Sequence, residues 1–206
     1  MLICCIADLH GQTRYIPHLH DIEYDLLVVC GDITNFGHYK DACDILSLFP
    51  EPFLAVHGNC DYEDVLAAFN EMGCNLHGRT IKRENEIFSG FGGSNPFVGV
   101  TPSEYAEDII YEELSRVEEV SILVTHAPPK NTKTDKALKM KHVGSTAVRQ
   151  IIEEKKPEIA LCGHIHESRN ADLVGSTLII NPGEFSEGYY ALVSVEEKKC
   201  SLLQVK

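Results

Sequence analysis

The chain reads as an α/β protein, because short apolar runs rich in β-branched residues alternate with helical segments along its length. Five runs carry the strand signal: Leu2 to Ala7, Leu26 to Cys30, Phe53 to Val56, Ser121 to Val124 and Ile159 to Cys162. Runs of this length and composition predict strands buried on both faces. The second observation concerns the residues at their ends. Asp8-Leu9-His10, Gly31-Asp32, His57-Gly58-Asn59-Cys60-Asp61, Thr125-His126 and Gly163-His164-Ile165-His166 each begin where a run ends. Ligand-type side chains from distant parts of the chain therefore converge on one edge. Length is the third: 206 residues, 44% hydrophobic and 24% charged, suffice for one compact domain with a substantial core, so residues 1–206 are expected to form a single domain.

In chain order, Gln12 to Glu23 can form a helix that Pro17 bends or delays. The second strand opens after Asp25. Tyr39, Ala42, Cys43, Leu46 and Phe49 recur at helical spacing and predict a helix over 38–49, which Pro50 and Pro52 stop. A helix over 61–72 comes next, burying Val65, Leu66, Ala68 and Phe69 and ending at Gly73. Cys74 to Leu76 predicts a short strand. Ile87 to Phe91 is strand-like and runs into a glycine-rich loop, Gly90 to Pro96, which lacks the Gly-Lys-Ser or Gly-Lys-Thr of a Walker phosphate loop. Thr101-Pro102-Ser103-Glu104 predicts the start of a helix that reaches Glu119 with an acidic solvent face. Pro128 to Lys141, polar and lysine-rich, predicts a flexible loop near the ligand-bearing edge. Ser145 is placed to cap a helix that ends before Pro157. Thr177 to Ile180, Tyr189 to Val195 and Cys200 to Val205 predict three closing strands, the last two paired as a hairpin.

Composition excludes several function classes. No apolar stretch approaches the roughly 20 residues that cross a bilayer, and Met1 to Cys5 lacks the basic start of a secretion signal, so a soluble, unprocessed protein with no membrane partner is expected. The eight cysteines form no Cys-x-x-Cys pair. Cys4, Cys5, Cys30 and Cys162 lie inside apolar runs, where free thiols pack as small hydrophobes, and this pattern fits a reducing cytoplasm. A net charge of -13 opposes binding to long polyanions, so nucleic acid is not an expected partner.

The strand-end residues point to metal chemistry. Carboxylates can bridge cations, imidazole nitrogen suits divalent first-row metals, and an amide oxygen adds a neutral ligand; Asp8, His10, Asp32, Asn59, His126, His164 and His166 supply that mixture. Two ions about 3.5–4 Å apart hold phosphoryl oxygens and lower the pKa of a shared water, which suits phosphate ester hydrolysis. Singly, Asp-x-His is a weak motif, a lone Gly-Asp is weaker, and Gly-His-x-His reads equally well as a satisfied structural pair. Their order carries more.

Asp-x-His, Gly-Asp, Gly-Asn, Thr-His and Gly-His-x-His, each after an apolar run, resemble the metallophosphoesterase (calcineurin-like phosphoesterase) superfamily over nearly the whole chain. Gly31-Asp32-Ile33-Thr34, Gly58-Asn59-Cys60-Asp61, Gly92-Gly93-Ser94-Asn95, His126-Ala127-Pro128-Pro129, His142-Val143-Gly144-Ser145, Gly163-His164-Ile165-His166-Glu167 and Asn181-Pro182-Gly183 look like its Icc-related predicted phosphoesterases. The resemblance implies a four-layer αββα sandwich with two divalent ions at the strand ends. It implies Asp8, His10 and His166 on the first ion, Asn59, His126 and His164 on the second, and Asp32 bridging. Mixed nitrogen and oxygen donors without a thiolate favour manganese, with iron, zinc and nickel as alternatives. The expected reaction is hydrolysis of a small phosphate ester, a diester rather than a monoester, by metal-bound hydroxide. A protein phosphatase or nuclease would use the same chemistry on a large substrate, which the acidic charge opposes. A non-catalytic scaffold of the same fold need not keep every ligand, as this chain does.

Position 60 departs from the pattern. Many members of the family carry a histidine directly after the asparagine, where it protonates the leaving alcohol and is oriented by the following acidic residue. Here Cys60 precedes Asp61, which makes the two a candidate catalytic pair. A thiol beside cations would become a thiolate and a poor acid, so a passive filler and a direct metal ligand are the alternatives for Cys60. Ser94, Asn95 and His142 are candidate substrate contacts. His57 is a weaker candidate, and His18, His20, His38 and His77 read as surface residues.

Overall fold

Each apolar run becomes a strand whose alternate side chains enter two different cores. The computed structural model describes residues 1–96, 100–137 and 141–205. Its strands are β1 (Leu2–Ile6), β2 (Leu26–Cys30), β3 (Phe53–Val56), β4 (Arg79–Arg83), β5 (Glu86–Phe91), β6 (Ile122–Thr125), β7 (Lys136–Ala137), β8 (Lys141–His142), β9 (Ile159–Leu161), β10 (Asn170–Val174), β11 (Thr177–Asn181), β12 (Tyr189–Ser194) and β13 (Lys199–Gln204). The α-helices are α1 (Tyr39–Leu46), α2 (Val65–Glu71), α3 (Glu107–Ser115) and α4 (Thr146–Lys155). One sheet has the order β13-β12-β1-β2-β3 and the other β10-β11-β9-β6-β5-β4. Their centres, β1-β2-β3 and β5-β6-β9-β11, are parallel, and the pairings with β4, β10, β12 and β13 are antiparallel.

The cores explain the layering. Ile3, Cys5, Val28 and Leu54 meet Val124, Ile159 and Leu161 between the sheets. On the outer face of the first sheet, Cys4, Ile6, Leu27 and Val29 pack with Leu46, Val65 and Phe69 of α1 and α2. Leu123, Ala160 and Ile179 pack with Ile110, Leu114, Val148 and Ile151 of α3 and α4 on the outer face of the second. Adjacent Cys4 and Cys5 thus enter opposite cores, as strand geometry requires. The result is the αββα sandwich, and all parallel strands present their C-terminal ends at one edge, where ligands bind in such sheets.

Several local expectations shift. The segment after β1 forms only a 3₁₀ turn at Ile16–Asp21, with Pro17 in its first turn. Helix α2 starts at Val65 rather than residue 61, because the Asp61 side chain is engaged elsewhere. Helix α3 starts at Glu107 rather than 101: Thr101 Oγ1 donates to Glu104 Oε1 at 2.8 Å, and the segment instead bridges to the glycine-rich loop, Ser94 with Glu104. Cys74 to Leu76 makes a single bridge, Ala55 with Asn75, instead of a strand. The polar strands β4 and β10 escape the apolar criterion because they lie at the sheet edge, where side chains stay in water. Ser145 caps α4, its hydroxyl accepting from the Val148 amide at 3.1 Å.

The expected flexible loop over 128–141 is, through 137, an ordered turn around a buried carboxylate; residues 138–140 lie outside the described residues. Asp135 is fully buried and accepts from the amides of Asn131, Thr132 and Gly144. Polar residues here serve an internal acceptor rather than solvent.

Candidate metal centre

The seven strand-end residues are brought together at the shared edge. Asp8 and His10 follow β1, Asp32 follows β2, Asn59 follows β3, His126 follows β6, and His164 and His166 follow β9. Asp8, Asp32 and Asn59 are buried, as is His126. Of the nine non-glycine residues with positive φ among the described residues, four are Asp8, His10, Asp32 and His164. Each such conformation costs on the order of 1–3 kcal/mol and persists where the surroundings enforce it, as at functional sites. The enforcement is visible: the amides of Leu9 and His10 both donate to the Asp32 carbonyl at 2.9 Å, and the Asp8 amide donates to the Gly31 carbonyl at 3.0 Å.

Glycines let these turns approach. Gly31 has φ +93°, and a Cβ there would fall 2.8 Å from Gly58 Cα and from His126 Cγ. At Gly58 a Cβ would lie 2.6 Å from Asp32 Cγ and closer still to its Oδ1 and amide nitrogen. Neither position tolerates a side chain while Asp32 stays in place.

Distances define two clusters around Asp32. On one side His10 Nε2 lies 3.1 Å from His166 Nε2 and 3.7 Å from Asp32 Oδ2, and His166 Nε2 lies 3.5 Å from Asp8 Oδ1. On the other, His126 Nε2 lies 2.8 Å from Asn59 Oδ1 and 3.5 Å from Asp32 Oδ2, with the His164 ring 5.0 Å from the His126 ring. Ligand atoms of three groups lie within 4.8 Å of one another: Asp8, His10 and His166; Asp8, Asp32 and His126; and His10, Asp32 and Cys60.

This donor set fits divalent cations. His126 Nδ1 donates to the Cys30 carbonyl at 2.7 Å, and His166 Nδ1 donates to Glu184 Oε2 at 2.6 Å. With Nδ1 protonated, the neutral ring turns an Nε2 lone pair toward the cluster, where it meets carboxylate, amide and imidazole acceptors. Converging acceptors require a cation or a proton among them. The electrostatics carry the same signature: burial holds His126 down, but Asp32 and Asp8 outweigh it and raise the imidazole to about 9. Burial also acts against the Asp32 charge, yet His126 and His10 pull its carboxyl well below the usual range. For His164, burial and then His126 lower the imidazole to about 4.

Glu184 and the Cys30 carbonyl are the orienting partners that sequence reading missed. Such outer partners fix the tautomer of a metal-binding histidine. A signal existed for Glu184, which follows Asn181-Pro182-Gly183 at the end of β11 and is a further acid at a strand end. No sequence pattern marks a backbone carbonyl.

Asp61 is a tie between loops. Its buried carboxylate accepts from the amides of Ile33, Thr34 and Gly58 and from Thr34 Oγ1 at 2.6 Å. Burial and Asp32 raise its carboxyl to about 6 against these bonds. None of them comes from Cys60, so the family's arrangement, in which the acidic residue orients the one before it, is absent from the hydrogen bonding. The Cys60 amide donates to Asp32 Oδ1 at 2.8 Å, and its half-buried Sγ lies 3.6 Å from Asn59 Nδ2. Burial and Asp32 hold the thiol well above its ordinary value.

The remaining candidates separate. Ser94 is buried, its amide donating to the Ser103 carbonyl, while the Ser103 amide donates to the Asn59 carbonyl. Asn95 donates through Nδ2 to the Val143 carbonyl at 3.2 Å, and its buried Oδ1 has no partner among the described residues. His142 donates from Nδ1 to Asp135 Oδ1 at 2.6 Å. His57 is fully buried beneath the site, its ring 4.6 Å from that of His77. His77 is not the surface residue its context suggests: its ring lies 4.6 Å from that of Phe91, tilted by 43°, and it accepts from the Gly92 amide at 2.9 Å.

Comparison with known proteins places the chain in a family. Residues 1–198 match the family model of the calcineurin-like phosphoesterase superfamily domain. The chain is 40% identical over 201 residues to the uncharacterized protein MJ1162 of Methanocaldococcus jannaschii, covering 92% of this chain and 91% of that one. Its fold is similar to TT1561 of Thermus thermophilus, with a TM-score of 0.83 at 17% identity over 100% of this chain and 99% of that one. It is also similar to a protein described as a novel archaeal phosphodiesterase, with a TM-score of 0.60 at 15% identity over 100% of both chains. The chain therefore belongs to the calcineurin-like phosphoesterase superfamily.

Proposed function

We propose that the protein is a phosphoesterase that holds two divalent cations and hydrolyses small phosphate diesters. The observation that carries the reading is the pair of donor clusters meeting at Asp32, one with Asp8, His10 and His166, the other with Asn59, His126 and His164. When bound, two cations neutralise phosphoryl oxygens and lower the pKa of a water held between them. The chain's own part is to aim and hold. Glu184 and the Cys30 carbonyl keep His166 and His126 with Nε2 facing the cluster, and Asp61 locks the Asp32 and Asn59 loops together.

Mixed nitrogen and oxygen donors favour manganese, with iron, zinc and nickel as alternatives. The net charge of -13 selects against long polyanionic substrates and favours a small ester. Eight free cysteines suit a reducing cytoplasm, and among the described residues no helix is long and apolar enough to cross a membrane. The test is a screen of mono- and diesters with purified protein and added Mn²⁺. Diester hydrolysis that a chelator removes and Asp32→Asn abolishes is expected. Protein that carries two metals yet hydrolyses no ester would overturn the reading and favour a scaffold.

A further inference from the structure

Outside the donor clusters lies a second carboxylate–imidazole pair. Asp135 is fully buried, and besides three backbone amides it accepts from His142 Nδ1 at 2.6 Å. The His142 side chain remains one-third exposed, at 33%. An imidazole held through Nδ1 has Nε2 left for another partner, the arrangement by which a carboxylate positions a histidine for proton transfer.

The pair stands beside the metal centre. His142 pairs with Lys136 across the β7–β8 ribbon, and the Lys136 carbonyl accepts from Ser168 Oγ at 2.6 Å, in the helical turn that begins at His166. Val143 packs with Ile165, the residue between His164 and His166. The Asn181 amide joins the same two segments, donating to the carbonyls of Thr134, Gly163 and Ile165. Asn95 is also bonded to the Val143 carbonyl, with a buried Oδ1 lacking a partner among the described residues. Asn95 adjoins Ser94, which is linked through Ser103 to the Asn59 carbonyl. A buried orphan acceptor is costly unless something else satisfies it, and a bound hydroxyl or amide donor would do so.

We propose that His142, positioned by Asp135, is the proton donor to the leaving group, and that Asn95 Oδ1 contacts the same end of the substrate. This rests on the phosphoesterase reading and gives the chain an acid that position 60 does not supply. In the step, the P–O bond to the alcohol breaks with its electron pair moving to the leaving oxygen, which takes the proton from Nε2 of the imidazolium. The attacking water forms the new P–O bond and loses its proton to solvent, from which the imidazole is reprotonated. Asp135 keeps the Nδ1 proton hydrogen-bonded throughout.

Two measurements on the full chain loaded with diamagnetic Zn²⁺ test this. The first is hydrolysis of methyl aryl phosphodiesters whose phenols span a range of leaving ability. His142→Ala is expected to lose about 10²–10⁴-fold at the poorest leaving group and less than about tenfold at the best, with added imidazole restoring part of the loss. An equal loss across the series, or none, would overturn the assignment. The second is ¹⁵N NMR of the histidines. His142 is expected to keep a proton on Nδ1 facing Asp135 while Nε2 carries the transferable proton, the Nε2 signal moving when diphenylphosphinate is added, and Asp135→Asn is expected to release the Nδ1 proton from that position. Were the wild type inactive on every ester, the phosphoesterase reading would fall, and the NMR would still decide the geometry: an unmoved Nε2 signal, or an Nδ1 signal unchanged in Asp135→Asn, overturns the dyad.

Discussion

Gly58→Ala is the smallest change that should separate folding from function. Gly58 is not among the positive-φ glycines, so space rather than backbone conformation requires it. The added methyl would sit 2.6 Å from Asp32 Cγ and closer still to its Oδ1 and amide nitrogen, whereas ordinary contact begins at 3.4 Å, so Asp32 and the Gly58 loop must separate by more than about 1 Å. Overpacking of this kind typically costs about 1–3 kcal/mol, which a domain of this size survives. The same displacement is far more serious for the site. Asp32 lies 3.5 Å from His126 and 3.7 Å from His10, and a misplacement of about 1 Å in a reacting constellation costs on the order of 10²-fold. Urea unfolding, calorimetric titration with Mn²⁺ and diester hydrolysis on the same preparation give the three quantities. The expected result is a folded variant with weakened metal binding and a hydrolysis rate down by about 10²-fold or more. A variant that binds metal as the wild type does and keeps its rate within about tenfold would refute the claim that Gly58 exists to let Asp32 in.

The residues around the donor clusters give further expected outcomes. Glu184→Gln weakens the charge-assisted bond to His166 Nδ1 and is expected to lower metal affinity about 10–100-fold; titration showing unchanged affinity would count against that bond. Cys60→Ala is expected to keep two metals per chain, and loss of one by metal analysis would make the thiol a ligand. His77 titrates below its ordinary value of 6.5, from burial first, with Glu113 and Glu63 opposing. Its folded state thus binds fewer protons than the unfolded chain, so its contribution is complete above pH 6.5 and is lost as pH falls toward the folded value. Between about pH 7.5 and 5.5, urea unfolding of His77→Asn should show a smaller loss of stability than the wild type, the slopes differing by at most about 1.4 kcal/mol per pH unit. Equal losses would mean that His77 is not held neutral.

The buried parallel strands and the residues at their ends were legible because two strong signals coincide there: an apolar run specifies the strand, and a ligand-type residue marks its end. Edge strands such as Arg79–Arg83 carry no such signal, since half-solvated side chains need not be apolar. Helices α2 and α3 start later than the sequence pattern at 61 and 101 predicts, for one shared reason. Asp61 and Ser103 resemble helix-start residues, but they are spent on tertiary bonds, Asp61 to the Thr34 loop and Ser103 Oγ to the Asp61 carbonyl at 2.6 Å. Within the site, the seven donor residues were readable from type and order, whereas Glu184 and Asp135 acquire their roles only through contacts with His166 and His142 across the fold. His77 shows the converse error, because a loop position says nothing of the rings that cover it.

Anomalous diffraction from crystals grown with Mn²⁺ decides whether two cations share Asp32. Two peaks about 3.5–4 Å apart are expected, one among Asp8, His10 and His166, the other among Asn59, His126 and His164, with Asp32 between them. A single peak, or two peaks that Asp32 does not join, would rule out the shared site.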